Sequence, residues 1–180
     1  AGGRAVGVSG KDGGLITARK LMGVNKGSDN AIKKAVDLGF VGEPVNIEVA
    51  VLEALLEHNL IPVVAPVGGG EDGKSYNINA DTAAGAISAA LNAKRMLMLT
   101  DVTGVQDKDG NLIPSLTISQ AEALILDGTV SGGMIPKVET CFEAVQGGAE
   151  GAVIMDGRVP HALLVELFTA HGMGTIITAG

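Results

Sequence analysis

The stretch Gly68-Gly-Gly-Glu-Asp-Gly-Lys-Ser-Tyr-Asn-Ile-Asn-Ala-Asp81 decides how this chain is read, because two different ligand-site patterns overlap in it. Gly68 to Ser75 satisfies G-x-x-x-x-G-K-[ST], the pattern of a P-loop, with Lys74 as its lysine. A P-loop enters a helix at its Lys-Ser pair, so that backbone N–H groups and the positive helix N-terminus face the phosphates. Here Ser75-Tyr-Asn-Ile-Asn79 alternates with period two and predicts a short strand instead. Glu71 and Asp72 would also place two carboxylates in a loop meant to hold a polyanion. Asp72-Gly73 has the chemistry of a hairpin tip. The leading reading is therefore strand, turn, strand and then a helix from Asp81, with Asn77, Asn79 and Asp81 presented where the second strand ends.

Working outward, strands are predicted at about 61–65 and 75–78, and an Ala-rich helix runs from Asp81 to about Asn92. Upstream, Asn46 can cap a helix to about His58 that carries Val49, Leu52, Leu55 and Leu56 on one face. Residues 4–9 and 15–19 read as two strands joined by a hairpin at Lys11-Asp-Gly-Gly14. Residues 20–35 are polar and irregular, with Lys26-Gly-Ser-Asp29 an exposed loop. Downstream, Arg95–Thr100 reads as a buried strand, and Asp109-Gly-Asn111 marks a hairpin tip. Ser119 caps a helix to about Asp127, with Glu122 completing a capping box. Helices at 134–146 and 160–170 and strands at 151–155 and 174–178 complete the chain. Alternating strands and helices imply an α/β fold with a largely parallel sheet covered on both faces.

The bulk properties narrow the function. The chain has 180 residues, 46% hydrophobic, with a formal net charge of -7. The acidic balance offers no nucleic-acid footprint, and no stretch is long and apolar enough to span a membrane. One cysteine, Cys141, excludes an intrachain disulfide and suits a reducing cytoplasm. Among Val138, Phe142 and Val145 it reads as a small buried hydrophobe. His58, His161 and His171 have no partner at ligand spacing, so no metal site is predicted. The chain opens at Ala1 and soon enters an apolar run, as a processed terminus or an excised segment does.

Three groups of residues fall at the carboxyl ends of predicted strands, where open α/β sheets bind ligands. Asn77, Asn79 and Asp81 can hydrogen-bond an acyl or carboxylate group and orient a lysine; they can equally cap a helix. Leu99-Thr-Asp-Val-Thr-Gly-Val105 ends an apolar strand in Thr-Asp. Ser131-Gly-Gly-Met-Ile-Pro-Lys137 combines glycines that permit close backbone approach, a proline suited to a first helical turn, and Lys137 near a positive helix N-terminus.

Taken together these segments resemble acetylglutamate kinase, of the amino acid kinase superfamily. The resemblance rests on Val41-Gly-Glu-Pro-Val45, Ala65-Pro-Val-Gly68, Tyr76–Ala84, Leu99–Val105, Gly132-Gly-Met-Ile-Pro-Lys137, Asp156-Gly-Arg-Val-Pro-His161, Glu166-Leu-Phe-Thr169 and Gly172-Met-Gly-Thr175. It implies a three-layer αβα sandwich with a mainly parallel central sheet. Residues 1–92 would be the remainder of an acetylglutamate-binding lobe and residues 93–180 a nucleotide-binding lobe. The implied reaction is ATP-dependent phosphorylation of the side-chain carboxylate of N-acetyl-L-glutamate, in arginine biosynthesis in the cytoplasm. The acceptor carboxylate is already nucleophilic, so catalysis is positioning plus neutralisation of phosphoryl charge, with Mg2+ accompanying ATP.

By the same resemblance, Asn77 and Asn79 belong to the acetylglutamate site. Asp81 orients lysines and Lys137 stabilises the transferring phosphoryl group. Thr100, Asp101, Gly133 and Met134 line the nucleotide site. Glu166 and Gly172 match the block that binds feedback L-arginine, while Val153 stands where some arginine-sensitive members carry a histidine. A homo-oligomer is implied for the full-length enzyme. About a hundred residues at the family's N-terminal end have no counterpart here, so the 180-residue chain alone is expected to have little or no kinase activity. The alternatives are a non-catalytic nucleotide- or arginine-binding module and the P-loop NTPase centred on Lys74.

Overall fold

A computed structural model describes residues 2–24, 35–169 and 172–180. The chain divides into two compact units, Ala1–Ala83 and Ala84–Gly180.

In the first unit, β1 (Ala5–Ser9) leads through a 3-10 turn at Asp12–Gly14 into β2 (Ile16–Val24), followed by β3 (Ala35–Ile47). Then come α1 (Ala50–Glu57), β4 (Ile61–Ala65), β5 (Val67–Gly70) and β6 (Ser75–Ile78). The helix α2 (Ala80–Ala90) crosses the boundary between units. Strand β1 pairs with β4, parallel, from Ala5↔Ile61 to Ser9↔Ala65. The other four strands close a small barrel in the order β2-β3-β6-β5. Ile16, Ala18, Tyr76 and Ile78 are buried apolar residues on its strands. So small a barrel demands close approach between strands: a Cβ on Gly68 would lie 2.6 Å from the Ala18 Cβ, and one on Gly42 would lie 2.7 Å from the Tyr76 Cβ. Glycine therefore serves strand packing here.

Several local expectations give way to this barrel. Lys11–Gly14 is not a hairpin tip, because β1 and β2 belong to different sheets. Residues 20–24 continue β2 rather than forming an irregular segment, and Lys26–Asp29 lie outside the described residues. Asn46 does not cap a helix: it pairs with Thr17 inside β3, and Val49 occupies the cap of α1. Asn46 lies in the ladder with β2, three residues before the cap position, and near the helix start it is Glu48 whose Oε1 accepts from Ala50 N at 3.3 Å. Of the four apolar residues on that helix only Leu52 is buried.

The second unit holds β7 (Met96–Thr100), β8 (Ser115–Thr117), α3 (Ile118–Leu126), α4 (Met134–Gln146), β9 (Ala152–Asp156), α5 (Ala162–Phe168) and β10 (Thr175–Thr178). Its four-stranded sheet runs β7-β9-β10-β8, parallel except between β9 and β10. Met98, Ile154, Val138, Cys141, Phe142 and Ile177 belong to one buried core between sheet and helices. Cys141 is thus the buried small hydrophobe expected of it. The expected hairpin tip at Asp109–Asn111 is a turn closed by a single Gln106↔Leu112 bridge. Thr175, fully buried, ties two loops to β10: its hydroxyl accepts from Val105 N at 2.8 Å and donates to Ile113 O at 2.7 Å. The capping box lies two residues earlier than expected. Thr117 accepts from Gln120 N, and the Gln120 side chain accepts from Thr117 N at 2.8 Å. This frame turns Ala121 fully inward with Leu124 and Ile125 against the core. A cap at Ser119 would have started the helix two residues late.

Both units are α/β with parallel-rich pairing. No described helix is long and apolar enough to cross a membrane.

Candidate functional site

The hairpin that carries Asn77 is built by antiparallel pairing of β5 and β6, Val67↔Asn77 to Gly69↔Ser75. Gly73 N donates to Gly70 O at 2.9 Å and Gly70 N to Lys74 O at 2.8 Å, closing the turn. Lys74 leads into a strand, not a helix, and its Nζ lies 3.3 Å from Asp72 Oδ2. Asp72 also accepts from the Tyr76 hydroxyl at 2.7 Å, the contact that does most to hold its carboxyl below the usual range. A phosphate has no cradle in this arrangement, which removes the P-loop alternative.

Along β6 the side chains alternate. Tyr76 and Ile78 are buried, while Ser75 and Asn77 share the exposed face. Asn79 follows, and its Oδ1 accepts from Asp81 N at 2.9 Å and Thr82 N at 3.2 Å, so its side chain caps α2. Asp81, half-buried, sits in the first turn of that helix. Lys11 joins this face: its Nζ donates to Ser75 Oγ at 2.7 Å across 64 residues of sequence. Sequence reasoning missed that contact, because only the placement of β1 against β4 brings the loop to β6.

In the second unit the parallel strands β7 and β9 end together at Thr100↔Asp156. The Thr100 hydroxyl donates to the exposed Asp101 carboxylate at 3.2 Å, and Gly157 N donates to Thr100 O at 2.9 Å. Asp156, 9% exposed, accepts from Arg158 Nε at 2.9 Å, Nη2 at 2.8 Å and N at 2.9 Å. The Arg158 guanidinium, and after it the backbone N–H, bring the Asp156 carboxyl down to about 2. This fork had no assigned role; its one sequence signal is a carboxylate that ends an apolar strand and is followed by Gly-Arg.

Gly133 immediately precedes α4, Met134 opens it, and Lys137 follows one turn on, half-buried. Pro136 takes the first turn as its fixed φ favours. Met134 shares a shallow cleft of about 200 Å3 with the loop after Asp101, through Val102, Gly104, Thr129 and Ser131. Among the described residues no three His, Cys, Asp or Glu side chains gather as a metal site. His58 and His161 are exposed, and His171 lies outside the described residues.

Glu166 and Gly172 do come together. Glu166 is 7% exposed; its Oε1 lies 3.5 Å from Arg95 Nη1, and its Oε2 accepts from Met173 N at 2.7 Å. Gly172 has φ +62°, which favours glycine, and a Cβ there would lie 2.6 Å from Glu166 Oε2, so the carboxylate would have to shift to admit any other residue. The two residues border a cleft of about 680 Å3 that also takes in Lys94, Arg95, Glu150 and Thr169. Val153 is fully buried in β9.

The profile of the amino acid kinase family matches residues 1–156. The chain belongs to the amino acid kinase family. Acetylglutamate kinase from Acidiphilium cryptum is 64% identical over 179 residues, covering 99% of this chain and 60% of its own length. The same enzyme from Gluconobacter oxydans is 62% identical, with 99% and 61% covered. This family member thus spans about three-fifths of the length of the curated relatives it matches. Among solved structures, N-acetylglutamate synthase from Neisseria gonorrhoeae, complexed with coenzyme A and L-arginine, superposes with a TM-score of 0.81 at 26% identity. That match covers 99% of this chain and 38% of the synthase.

Proposed function

We propose that this chain serves acetylglutamate kinase activity: transfer of the ATP γ-phosphoryl group to the side-chain carboxylate of N-acetyl-L-glutamate, a cytoplasmic step of arginine biosynthesis. The observation that carries the reading is the 64% identity to an acetylglutamate kinase, in an alignment that runs through every candidate residue. The geometry is compatible with it. Asn77 stands on an exposed strand face at the end of a hairpin, able to donate to and accept from the acetylglutamate backbone. Asn79 acts through the helix it caps, and Asp81 takes the lysine-orienting role. Thr100, Asp101, Gly133 and Met134 are proposed for the nucleotide, and residues 1–92 and 93–180 for the acetylglutamate and nucleotide lobes.

Lys137 would neutralise charge on the phosphoryl group in flight, an electrostatic contribution that needs no proton transfer. Mg2+ would enter as the metal of MgATP, carried by the phosphates. The cleft beside Glu166 and Gly172 is proposed for L-arginine as feedback inhibitor. It contains carboxylates suited to a guanidinium, and the gonococcal synthase that shares this fold is complexed with L-arginine. The full-length kinase is proposed to be a homo-oligomer.

The test is equilibrium binding of MgATP and N-acetyl-L-glutamate to the chain, combined with trapping of any acyl phosphate by hydroxylamine. Binding of both ligands is expected, with little or no acyl phosphate from the chain alone; any that forms should fall further in Lys137→Ala. Binding of nucleotide or arginine without acetylglutamate would favour a regulatory module, and binding of none would overturn the reading.

A further inference from the structure

Lys108 and Asp127 form an ion pair, Nζ to Oδ2 at 3.1 Å, that has no role in the reading so far. It lies beside the shallow cleft of about 200 Å3 that Met134 lines. One wall of that cleft is the loop through Val102, Gly104 and Asp107, and the other runs from Thr129 to Met134. Lys108 is the next residue after the first wall, and Asp127 stands two residues before the second. The pair therefore ties one wall to the other.

Each end of the tie is fixed locally. Asp107 Oδ1 accepts from Asp109 N at 2.9 Å and from Asn111 N at 2.8 Å, so Lys108 rides on a closed turn. Asp127 Oδ1 accepts from Thr129 N at 2.9 Å and from Thr129 Oγ1 at 2.6 Å, which leaves Oδ2 for the ammonium. The Thr129 hydroxyl, and after it the Thr129 N–H, bring the Asp127 carboxyl down to about 2, so it is charged at neutral pH. The cleft itself is lined by no lysine or arginine, and Val102, Val130 and Met134 give it apolar surface. Such a lining suits the base of a nucleotide better than its phosphates.

We propose that Lys108 and Asp127 are positioning residues for the nucleotide: their ion pair holds the two walls at the spacing that receives the base. This rests on the nucleotide reading of Met134. Neither residue lines the cleft, so the pair acts through the loops that carry it. Both side chains are exposed, on loops at the surface. Two unlinked surface loops lose freedom when a ligand comes between them. Loops already joined lose less, which tightens binding without any new contact to the ligand.

The experiment measures MgATP binding to the chain by calorimetry, for wild type, Lys108→Met, Asp127→Asn, the double variant and Lys108→Arg. Circular dichroism verifies that each variant is folded. Asp127→Asn keeps an oxygen for Thr129 and removes only the charge. If the two residues acted simply as point charges on the polyphosphate, loss of the anion would tighten MgATP binding and loss of the cation would loosen it. The tie predicts instead that both single variants bind about twofold to fivefold more weakly, the span of an exposed ion pair. The double variant should be no worse than either single one, and Lys108→Arg should bind as wild type does. An Asp127→Asn chain that binds as tightly as wild type or tighter overturns the role of the pair alone. So does a double variant whose loss is the product of the two single losses. A wild-type chain that does not bind MgATP overturns the nucleotide reading of Met134, and the pair with it.

Discussion

Two parallel strand pairs of the same length lie in very different surroundings. In the first unit β1 and β4 pair over five residues, Ala5↔Ile61 to Ser9↔Ala65; in the second, β7 and β9 pair over five, Met96↔Ala152 to Thr100↔Asp156. Their sequences are comparably apolar, yet every residue of β9 is buried, while Ile61 and Val63 of β4 are more than half exposed. The cause is what lies on and beside each pair. Strand β9 has β7 on one edge, β10 on the other, and α4 packed against it. Among the described residues, strand β4 pairs with β1 and packs against α1. A parallel pair is stable when both faces are covered, so the two pairs should differ in how much each residue contributes.

The largest effect should come from the better-covered pair. Ile154→Ala removes a fully buried side chain from the core and should cost about 3 kcal/mol, read as a lowered urea midpoint for the second unit. A cost near that of a surface substitution would break the contrast.

An intermediate and pH-confined effect belongs to Asp156, whose counterpart position in the first pair carries Ala65. Pairing with Arg158 lowers its carboxyl from the ordinary 3.8 to about 2. A group whose folded value is depressed contributes stability that is full above the unfolded value and is lost as pH falls through the folded one. Asp156→Asn should therefore flatten the loss of stability between about pH 4 and pH 2. Amide exchange of β7 and β9 should report the change, and amides of β1 and β4 should not.

The smallest effect is expected at Val63, where Val63→Ala should change stability by about 0.5 kcal/mol or less. A loss several times larger would mean that this face of β4 is covered in solution, and would remove half of the comparison.

The legible parts of the chain are those governed by local chemistry. Helix α4 runs from Met134 to Gln146, the bounds its periodicity and Pro136 predict. The Asp72-Gly73 turn forms because a glycine at φ +76° closes a tight hairpin without strain. Near misses arose where two local signals compete. Thr117-x-x-Gln120 and Ser119-x-x-Glu122 are both capping patterns, and only the packing of Ala121 against the core selects between them. Asn46 has the chemistry of a cap and the position of a strand residue, and the partner strand β2 decides.

From the sequence alone came the α/β class, the family, the rejection of the P-loop and the candidate residues at strand ends, because turn chemistry, periodicity and short motifs are local. Tertiary structure alone decided the closed barrel that makes Gly42 and Gly68 packing residues, the fork between Asp156 and Arg158, the meeting of Glu166 with Gly172, and the reach of Lys11 to Ser75. The approaches of Gly42 to Tyr76 and of Gly68 to Ala18, and the Lys11 contact, join residues more than thirty positions apart, and their energy depends on strand pairing and burial that no local window of sequence contains. The two shorter-range pairs depend on how the ends of β9 and α5 are held, which packing settles.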